Sequence, residues 1–546
     1  MVHPLILIVL DGWGIAPTGP GNAISLAKLP YYRELLNRYP HGLLEASGES
    51  VGLPKGEDGN TETGHINLGA GNIVYQDLPR INLSIADGSF FKNYSFISAI
   101  NHARKYNSNL HLLGLIGSGG VHSNIEHLLA LLQLLKENNF TRVFLHLITD
   151  GRDSPPRSAS LYIEQIQAFL KQLGFGQIAT IMGRYYAMDR DHRWERTKLA
   201  YEILTKGKAN KSSSPLDVIT SSYQKKITDE FIIPTNIIKD GKPISLISEN
   251  DSVIFFNYRI DRHRQLTKAF VMDNFDEQAN TVDFDPYAVK YYKKHIMEKS
   301  ELIPPFKRGP LIPHLYFVTM TEYSRNVHAS SVAFPPEIIP HPLGECLANQ
   351  GLRQLRMSES EKERFVTYYF NGQRETPFTN EDRKIIPSPK VATYDMKPEM
   401  SSYELTTALL NSLNKNKYEF ILINFANPDM VAHTGVIPAT IKACESVDNH
   451  LSVIVPKVLN LNGTILITGD HGNAEELINP HTGGIDTEHS TYPVPFIAIN
   501  NNWEGKNIEL PKGVLGDVAP TILDILSIKK PVDMAGRNLL ANVISL

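Results

Sequence analysis

Short apolar runs that each stop at a charged or imidazole-bearing residue constrain this 546-residue chain more than any other feature. Leu5-Ile6-Leu7-Ile8-Val9-Leu10 ends at Asp11-Gly12, Phe420 to Ile423 leads to Asp429 and His433, and Ile465 to Thr468 leads to Asp470-His471. Runs this short and this apolar read as strands buried on both faces. Between such runs lie longer stretches with helical spacing, Ile125 to Lys136 and Ala159 to Leu173. The alternation predicts α/β architecture, in which ligands gather beyond the carboxyl ends of the strands.

The middle of the chain carries a different chemistry at its strand ends. Leu110 to Ile116 leads into Ser118 and His122, and Val143 to Ile148 leads into Asp150, Arg152 and Asp153. Ile178 to Met182 precedes Arg184 and Arg190, and Val253 to Phe256 precedes Arg259, Asp261 and Arg262. Guanidinium groups bind carboxylate and phosphate bidentately, so this segment is suited to a small, multiply anionic ligand. A single arginine of this kind is usually a surface ion pair, but arginine at one strand end after another is not explained that way. We therefore expect two α/β domains. Residues 1–76 and 337–546 form a metal-binding domain, and 80–333 form an inserted arginine-bearing domain, with linkers near 77–79 and 334–336. The charged stretch 273–310, with Lys290, Lys293 and Lys294, reads as a solvated surface insertion.

Composition excludes several partners. A formal charge of -4 and a pI near 6.6 give no general attraction to nucleic acid or an acidic membrane. The run Leu5–Leu10 is too short for a signal peptide core or a membrane span. Cys346 and Cys444 are far apart and form no CxxC pair, which fits a reducing compartment, so cytoplasm is the expected location.

Asp58-Gly59-Asn60-Thr61-Glu62-Thr63-Gly64-His65 presents the hydroxyl of Thr61 in a polar turn. On its own the segment reads as a helix cap, with Asn60 or Thr61 ahead of Glu62 and an apolar run. As a nucleophile the hydroxyl needs a base or metal to favour its alkoxide. Asp429 and His433 stand four apart and share a helix face if helical, and Asp470-His471 follows a buried strand. His489 supplies a further nitrogen, with His481 as a competing ligand. Together Asp11, Thr61, Asp429, His433, Asp470, His471 and His489 are enough for two ions, and their mixed oxygen and nitrogen donors suit manganese or zinc.

These residues resemble the cofactor-independent phosphoglycerate mutases of the alkaline phosphatase superfamily. The resemblance rests on LDGWG at 10–14, GHINLGAG at 64–71, SGGVHS at 118–123, TDGRDSPP at 149–156 and GRYYAMDRDHRWER at 183–196. It continues through FFNYRIDRHRQ at 255–265, SESEKERF at 358–365, IPSPKVATYDMKPEMS at 386–401, NPDMVAHTG at 427–435 and DHGNAE at 470–475. It implies an alkaline-phosphatase-like domain with two divalent ions, manganese by preference, and an inserted transferase domain. Asp429, His433 and His489 are implied to hold one ion, and Asp11, Thr61, Asp470 and His471 the other. His122, Arg152, Asp153, Arg184, Arg190, Arg259 and Arg262 are implied to bind substrate, with Lys362 contributing from the metal domain.

The implied reaction is the glycolytic and gluconeogenic interconversion of 3- and 2-phosphoglycerate in a monomer, without bisphosphoglycerate. It passes through a phosphoenzyme at residue 61, and Asp153 handles the proton at the glycerate hydroxyls. The family pattern has serine where this chain has Thr61. The added methyl restricts χ1 and crowds in-line attack, so slower transfer is expected. Two alternatives share the same residues: a metal-dependent phosphomonoesterase or related phosphomutase, and a non-catalytic remnant that binds metal or phosphoglycerate.

Overall fold

The computed structural model describes residues 3–280, 303–324, 326–506 and 508–544. The chain divides into two compact units, Met1–Pro79 with Glu337–Leu546, and Arg80–Pro336. The segment expected as a linker at 77–79 is instead the first turn of a helix, Asp77–Ala86. Pro79 is tolerated there because the first-turn N–H groups have no partner within the helix.

Among the described residues the first unit holds an eight-stranded sheet. Its order is Glu381–Ile386, Gln354–Glu359, Phe420–Phe425, Leu5–Leu10, Thr464–Gly469, Val494–Ile499, His41–Glu45 and Gly513–Val514. The first five strands run parallel, and Val494–Ile499 pairs antiparallel with both neighbours. Ile6, Ile8 and Leu10 enter one apolar core while Leu5, Leu7 and Val9 enter another, so the central strand is covered on both faces. That double burial is why its sequence is continuously apolar. Because the five strands are parallel, Asp11, Lys362, Asp429 and Asp470 all follow the same edge of the sheet.

The second unit repeats the principle. Its sheet runs Ser331–Phe334, Tyr316–Thr321, Ser252–Phe255, Leu110–Ile116, Val143–Thr149, Gln177–Gly183, Thr235–Lys239 and Asn210–Ser212, with Lys242–Pro243 paired off its edge. Four central strands, Ser252–Phe255 through Gln177–Gly183, are mutually parallel. His122, Asp153, Arg184 and Arg259 therefore follow one carboxyl edge.

In the charged 273–310 stretch, residues 281–302, including Lys290, Lys293 and Lys294, lie outside the described residues. Most residues of the described flanks are exposed, as expected of a surface segment, and a few side chains anchor them. Phe275 and Ala279 are buried, and the Arg308 guanidinium donates to the carbonyl oxygens of Ala269, Met272 and Asp273 at the end of helix Arg264–Val271. A cation satisfying the last carbonyls of a helix is favoured by the helix dipole. Cys346 and Cys444 are buried free thiols. No helix among the described residues is long and apolar enough to cross a membrane.

Candidate active site

Thr61 is the first residue of helix Thr61–Ala70, and the cap is Asn60, whose Oδ1 accepts the Thr63 N–H at 2.9 Å. With the neighbour capping the helix, the Thr61 hydroxyl is available for other work. Its Oγ1 lies 2.9 Å from His471 Nε2 and accepts from Lys362 Nζ at 2.9 Å. The same ammonium donates to Asp11 Oδ1 at 2.6 Å and Asp429 Oδ2 at 2.7 Å. All of these side chains are buried. Gly12 has a φ of 70°, and a side chain there would come within 2.7 Å of Asp429 Cβ, so glycine permits the two strand ends to close on each other.

Charge decides the protonation of this cluster. Burial lowers the Lys362 pKa, but Asp11 and Asp429 more than offset it and hold the ammonium charged. Burial likewise opposes a charged His471, yet Asp470 and the other carboxylates push its pKa up to about 10. Asp470, despite burial, is held at about 2, chiefly by His471. For Asp429, Lys362 outweighs burial and keeps the carboxyl well below the usual range.

Two groups of donors flank Lys362. In the first, Asp429 Oδ1 lies 3.3 Å from His433 Nε2 and 3.4 Å from His489 Nε2, and the two Nε2 atoms are 3.2 Å apart. His433 Nδ1 is 2.8 Å from the Thr487 carbonyl oxygen, and His489 Nδ1 is 2.8 Å from that of Gly59. Each Nδ1 therefore carries the donated proton and leaves an Nε2 lone pair aimed at the other. Such a trio is suited to share a cation, either a metal ion or a proton on His433, where burial opposes the charge but Asp429 raises the pKa. At 3.2–3.4 Å apart, the three atoms are close enough that one divalent ion would be held by all of them. His489 joins Asp429 here, while the competing His481 is exposed and its backbone N–H bonds Asn479.

The second group is Asp11, His65 and Asp470. Asp470 Oδ2 is buried and faces two imidazoles, His65 Nδ1 at 3.3 Å and His471 Nε2 at 3.6 Å, both longer than a good hydrogen bond. His65 had no role from sequence, although it lies four residues after Thr61 and so shares that helix face. Its Nδ1 is 2.9 Å from the Thr61 carbonyl oxygen, and its Nε2 faces Asn424 Nδ2, which also donates to Asp11 Oδ2. With both nitrogens engaged, His65 orients Thr61 and Asp11 instead of binding an ion. His471 lies between the groups, with Nε2 3.4 Å from Asp11 Oδ1, and it also clusters with Asp429 and His489.

In the second unit the substrate candidates converge separately. Buried Arg184 donates through Nη1 to Asp150 Oδ1 at 2.6 Å and Asp153 Oδ2 at 2.5 Å. His122 is buried, with Nε2 3.6 Å from Asp153 Oδ2 and Nδ1 3.7 Å from Asp261 Oδ1. Burial first, and then Arg184, bring its pKa down to about 4. Half-exposed Arg190 and Arg259 both pair with Asp261. Arg262 makes no ion pair among the described residues, and burial and then Arg190, Arg184 and Arg152 lower its pKa. Asp261 only partly offsets this crowding of cations. Burial raises Asp153, but Arg184 outweighs it and keeps the carboxyl ionised. Asp150 and Asp261 orient these arginines; sequence reading had seen both only as strand-end neighbours.

Comparison with known proteins gives the family. Residues 81–325 match the family model described as BPG-independent PGAM N-terminus. A Moorella thermoacetica protein named 2,3-bisphosphoglycerate-independent phosphoglycerate mutase is 49% identical over 538 residues, covering 98% of each chain. The chain belongs to the cofactor-independent phosphoglycerate mutases. The Clostridium acetobutylicum member of that family is 48% identical over 98% of this chain and 99% of its own. Among solved structures, Leishmania mexicana phosphoglycerate mutase, studied at low cobalt concentration, is 26% identical, with 98% of each chain covered and a TM-score of 0.56.

Proposed function

We propose that this protein interconverts 3-phosphoglycerate and 2-phosphoglycerate, the isomerisation used in glycolysis and gluconeogenesis, through a phosphoenzyme at Thr61 and without bisphosphoglycerate. The observation that carries the reading is the position of Thr61 Oγ1, 2.9 Å from both Lys362 Nζ and His471 Nε2 within a buried ring of carboxylates. Asp429, His433 and His489 hold one divalent ion, and Asp11, Thr61, Asp470 and His471 hold the other. The mixed carboxylate oxygen and imidazole nitrogen donors suit manganese or zinc, and the family resemblance favours manganese. When bound, two such ions lower the pKa of the Thr61 hydroxyl and neutralise charge on a transferring phosphoryl group.

The chain's own residues supply the remainder. Thr61 gives up its hydroxyl proton and Oγ1 attacks the phosphorus of 3-phosphoglycerate; the bond to the glycerate 3-oxygen breaks, and that oxygen takes up a proton, so one proton is lost and one gained in the step. His122, Arg152, Arg184, Arg190, Arg259 and Arg262 retain the glycerate anion while Thr61 carries the phosphoryl group. The 2-hydroxyl then loses its proton and attacks phosphorus, releasing Thr61. Asp153, ionised beside Arg184, accepts the proton of the 2-hydroxyl, and in the reverse direction that of the 3-hydroxyl. Lys362 donates to the phosphoryl oxygens, whose charge it meets from a water-poor site.

The reading is tested by quenching manganese-loaded protein in acid during turnover and mapping phosphate by mass spectrometry. Phosphothreonine at position 61 is the expected result. Full turnover with no phosphate on Thr61 would contradict it.

A further inference from the structure

The loops that carry the metal-ligand candidates meet at one side chain outside the ligand set, Glu475. It is 3% exposed, in the first unit with the rest of the cluster. Its Oε2 accepts the backbone N–H groups of Gly14 and Asn473, each at 2.9 Å. Its Oε1 accepts the Ser490 hydroxyl. Gly14 belongs to the loop of Asp11, Asn473 to that of Asp470 and His471, and Ser490 follows His489. Asn473 extends the connection, since its Nδ2 donates to Asp429 Oδ1 at 2.8 Å.

Two glycines leave room for this knot. A methyl group at Gly14 would overlap the Glu475 carboxylate, and one at Gly472 would overlap Glu475 Oε1 and Ser490 Oγ. Neither glycine has a positive φ, so other residues could adopt the backbone at both positions. Close approach to Glu475 is therefore the physical reason for glycine in LDGWG and DHGN.

We propose that Glu475 is a positioning residue for metal binding, its carboxylate fixing the spacing of the three loops that bear Asp11, Asp470, His471 and His489. The proposal rests on the two-ion reading above. Three acceptors 3.2–3.4 Å apart fit an ion only if the loops bearing them stay in register, and groups that orient ligands in this way commonly govern affinity by 10–100-fold.

The test is Mn2+ binding to metal-free full-length protein, followed by the electron paramagnetic resonance signal of free Mn2+. Glu475→Asp withdraws the carboxylate by one methylene, and Gly14→Ala displaces it from the opposite side without demanding a new backbone conformation. Each is expected to weaken Mn2+ binding by at least about 10-fold, with turnover recovering as Mn2+ is raised. Glu475→Gln keeps a carbonyl oxygen for both N–H groups and an amide for the Ser490 hydroxyl, so it should hold Mn2+ far more tightly than Glu475→Asp. Circular dichroism and melting of the metal-free proteins report whether each variant is folded. Folded Glu475→Asp and Gly14→Ala proteins that bind Mn2+ as tightly as the parent would overturn the proposal and leave the two-ion reading standing. Loss in Glu475→Gln equal to that in Glu475→Asp would overturn the hydrogen-bonding account. A parent protein that takes up no Mn2+ would overturn the two-ion reading itself, and the proposal with it.

Discussion

Lys362 Nζ donates to the Thr61 hydroxyl across 2.9 Å while also joining Asp11 to Asp429. One buried cation thus faces the candidate nucleophile and two carboxylates from different strand ends. Removing one partner of a buried pair typically costs about 3–5 kcal/mol because the other charge is left uncompensated. Lys362→Met should therefore destabilise the metal-free protein by about that amount, and added Mn2+ should recover part of the loss. Lost phosphoryl contact should also lower kcat by about 100-fold or more. Denaturant melts with and without metal, together with steady-state kinetics, check both effects.

Thr61 gives the clearest single-atom prediction. Thr61→Ala removes the hydroxyl and should reduce turnover by at least about 1,000-fold, as loss of a covalent nucleophile does. Thr61→Ser keeps the hydroxyl and relieves χ1 restriction, so its kcat should equal or exceed that of the parent. A Thr61→Ala protein with near-parental turnover would exclude covalent transfer through this residue.

His433 and His489 turn their Nε2 atoms toward the same Asp429 oxygen. Replacing either by alanine should lower bound metal from about two ions to about one per chain, since the Asp11 and Asp470 group does not include them. Metal analysis after dialysis reads this directly. Two ions retained in both variants would show that these imidazoles are not ligands.

Asp153 separates binding from chemistry. Asp153→Asn keeps the shape beside Arg184 but removes the base, so kcat should fall by about 100-fold or more with a smaller change in KM. An unchanged kcat would remove Asp153 from proton transfer.

Glu359 gives a pH dependence away from the ligands. Burial, only partly offset by the Ser401 N–H, pushes its carboxyl up to about 7 from an ordinary 4.5. Between those values the folded state retains a proton that the unfolded state has released, so this residue's contribution to stability falls as pH rises. Glu359→Gln removes that dependence. Its stability relative to the parent should rise across this window by on the order of 3 kcal/mol, as measured by urea melts at pH 4.5 and pH 8. A constant difference would contradict the shift.

The strands that could be read from sequence are those buried on both faces. Leu5–Leu10 and Leu110–Ile116 have the bounds their apolar runs predict, and the ligand candidates beyond them follow from strand direction. Gln354–Glu359 escaped because its pattern is not apolar, although every residue in it is buried. Arg356 is accommodated there with its guanidinium 5.0 Å from the Phe370 ring centre and 5.4 Å from that of Phe420, a tertiary environment with no local signal. Val494–Ile499 was hidden by the prolines around it and lies antiparallel between two neighbours. The candidate ligands were legible as residue types beyond strand ends, and Thr61 as a hydroxyl in a polar segment ahead of a helix. Their supporting partners, His65, Asn424, Asn473 and Glu475, could be assigned only once the loops were brought together, since such contacts span up to hundreds of positions in the chain.

The central claim is retained phosphoryl transfer within one substrate. Phosphorus NMR of 3-phosphoglycerate with manganese-loaded protein, no bisphosphoglycerate and a metal-free control tests it most directly. The account predicts metal-dependent appearance of 2-phosphoglycerate with no accumulation of inorganic phosphate. Inorganic phosphate growing in place of 2-phosphoglycerate would contradict it and identify a hydrolase.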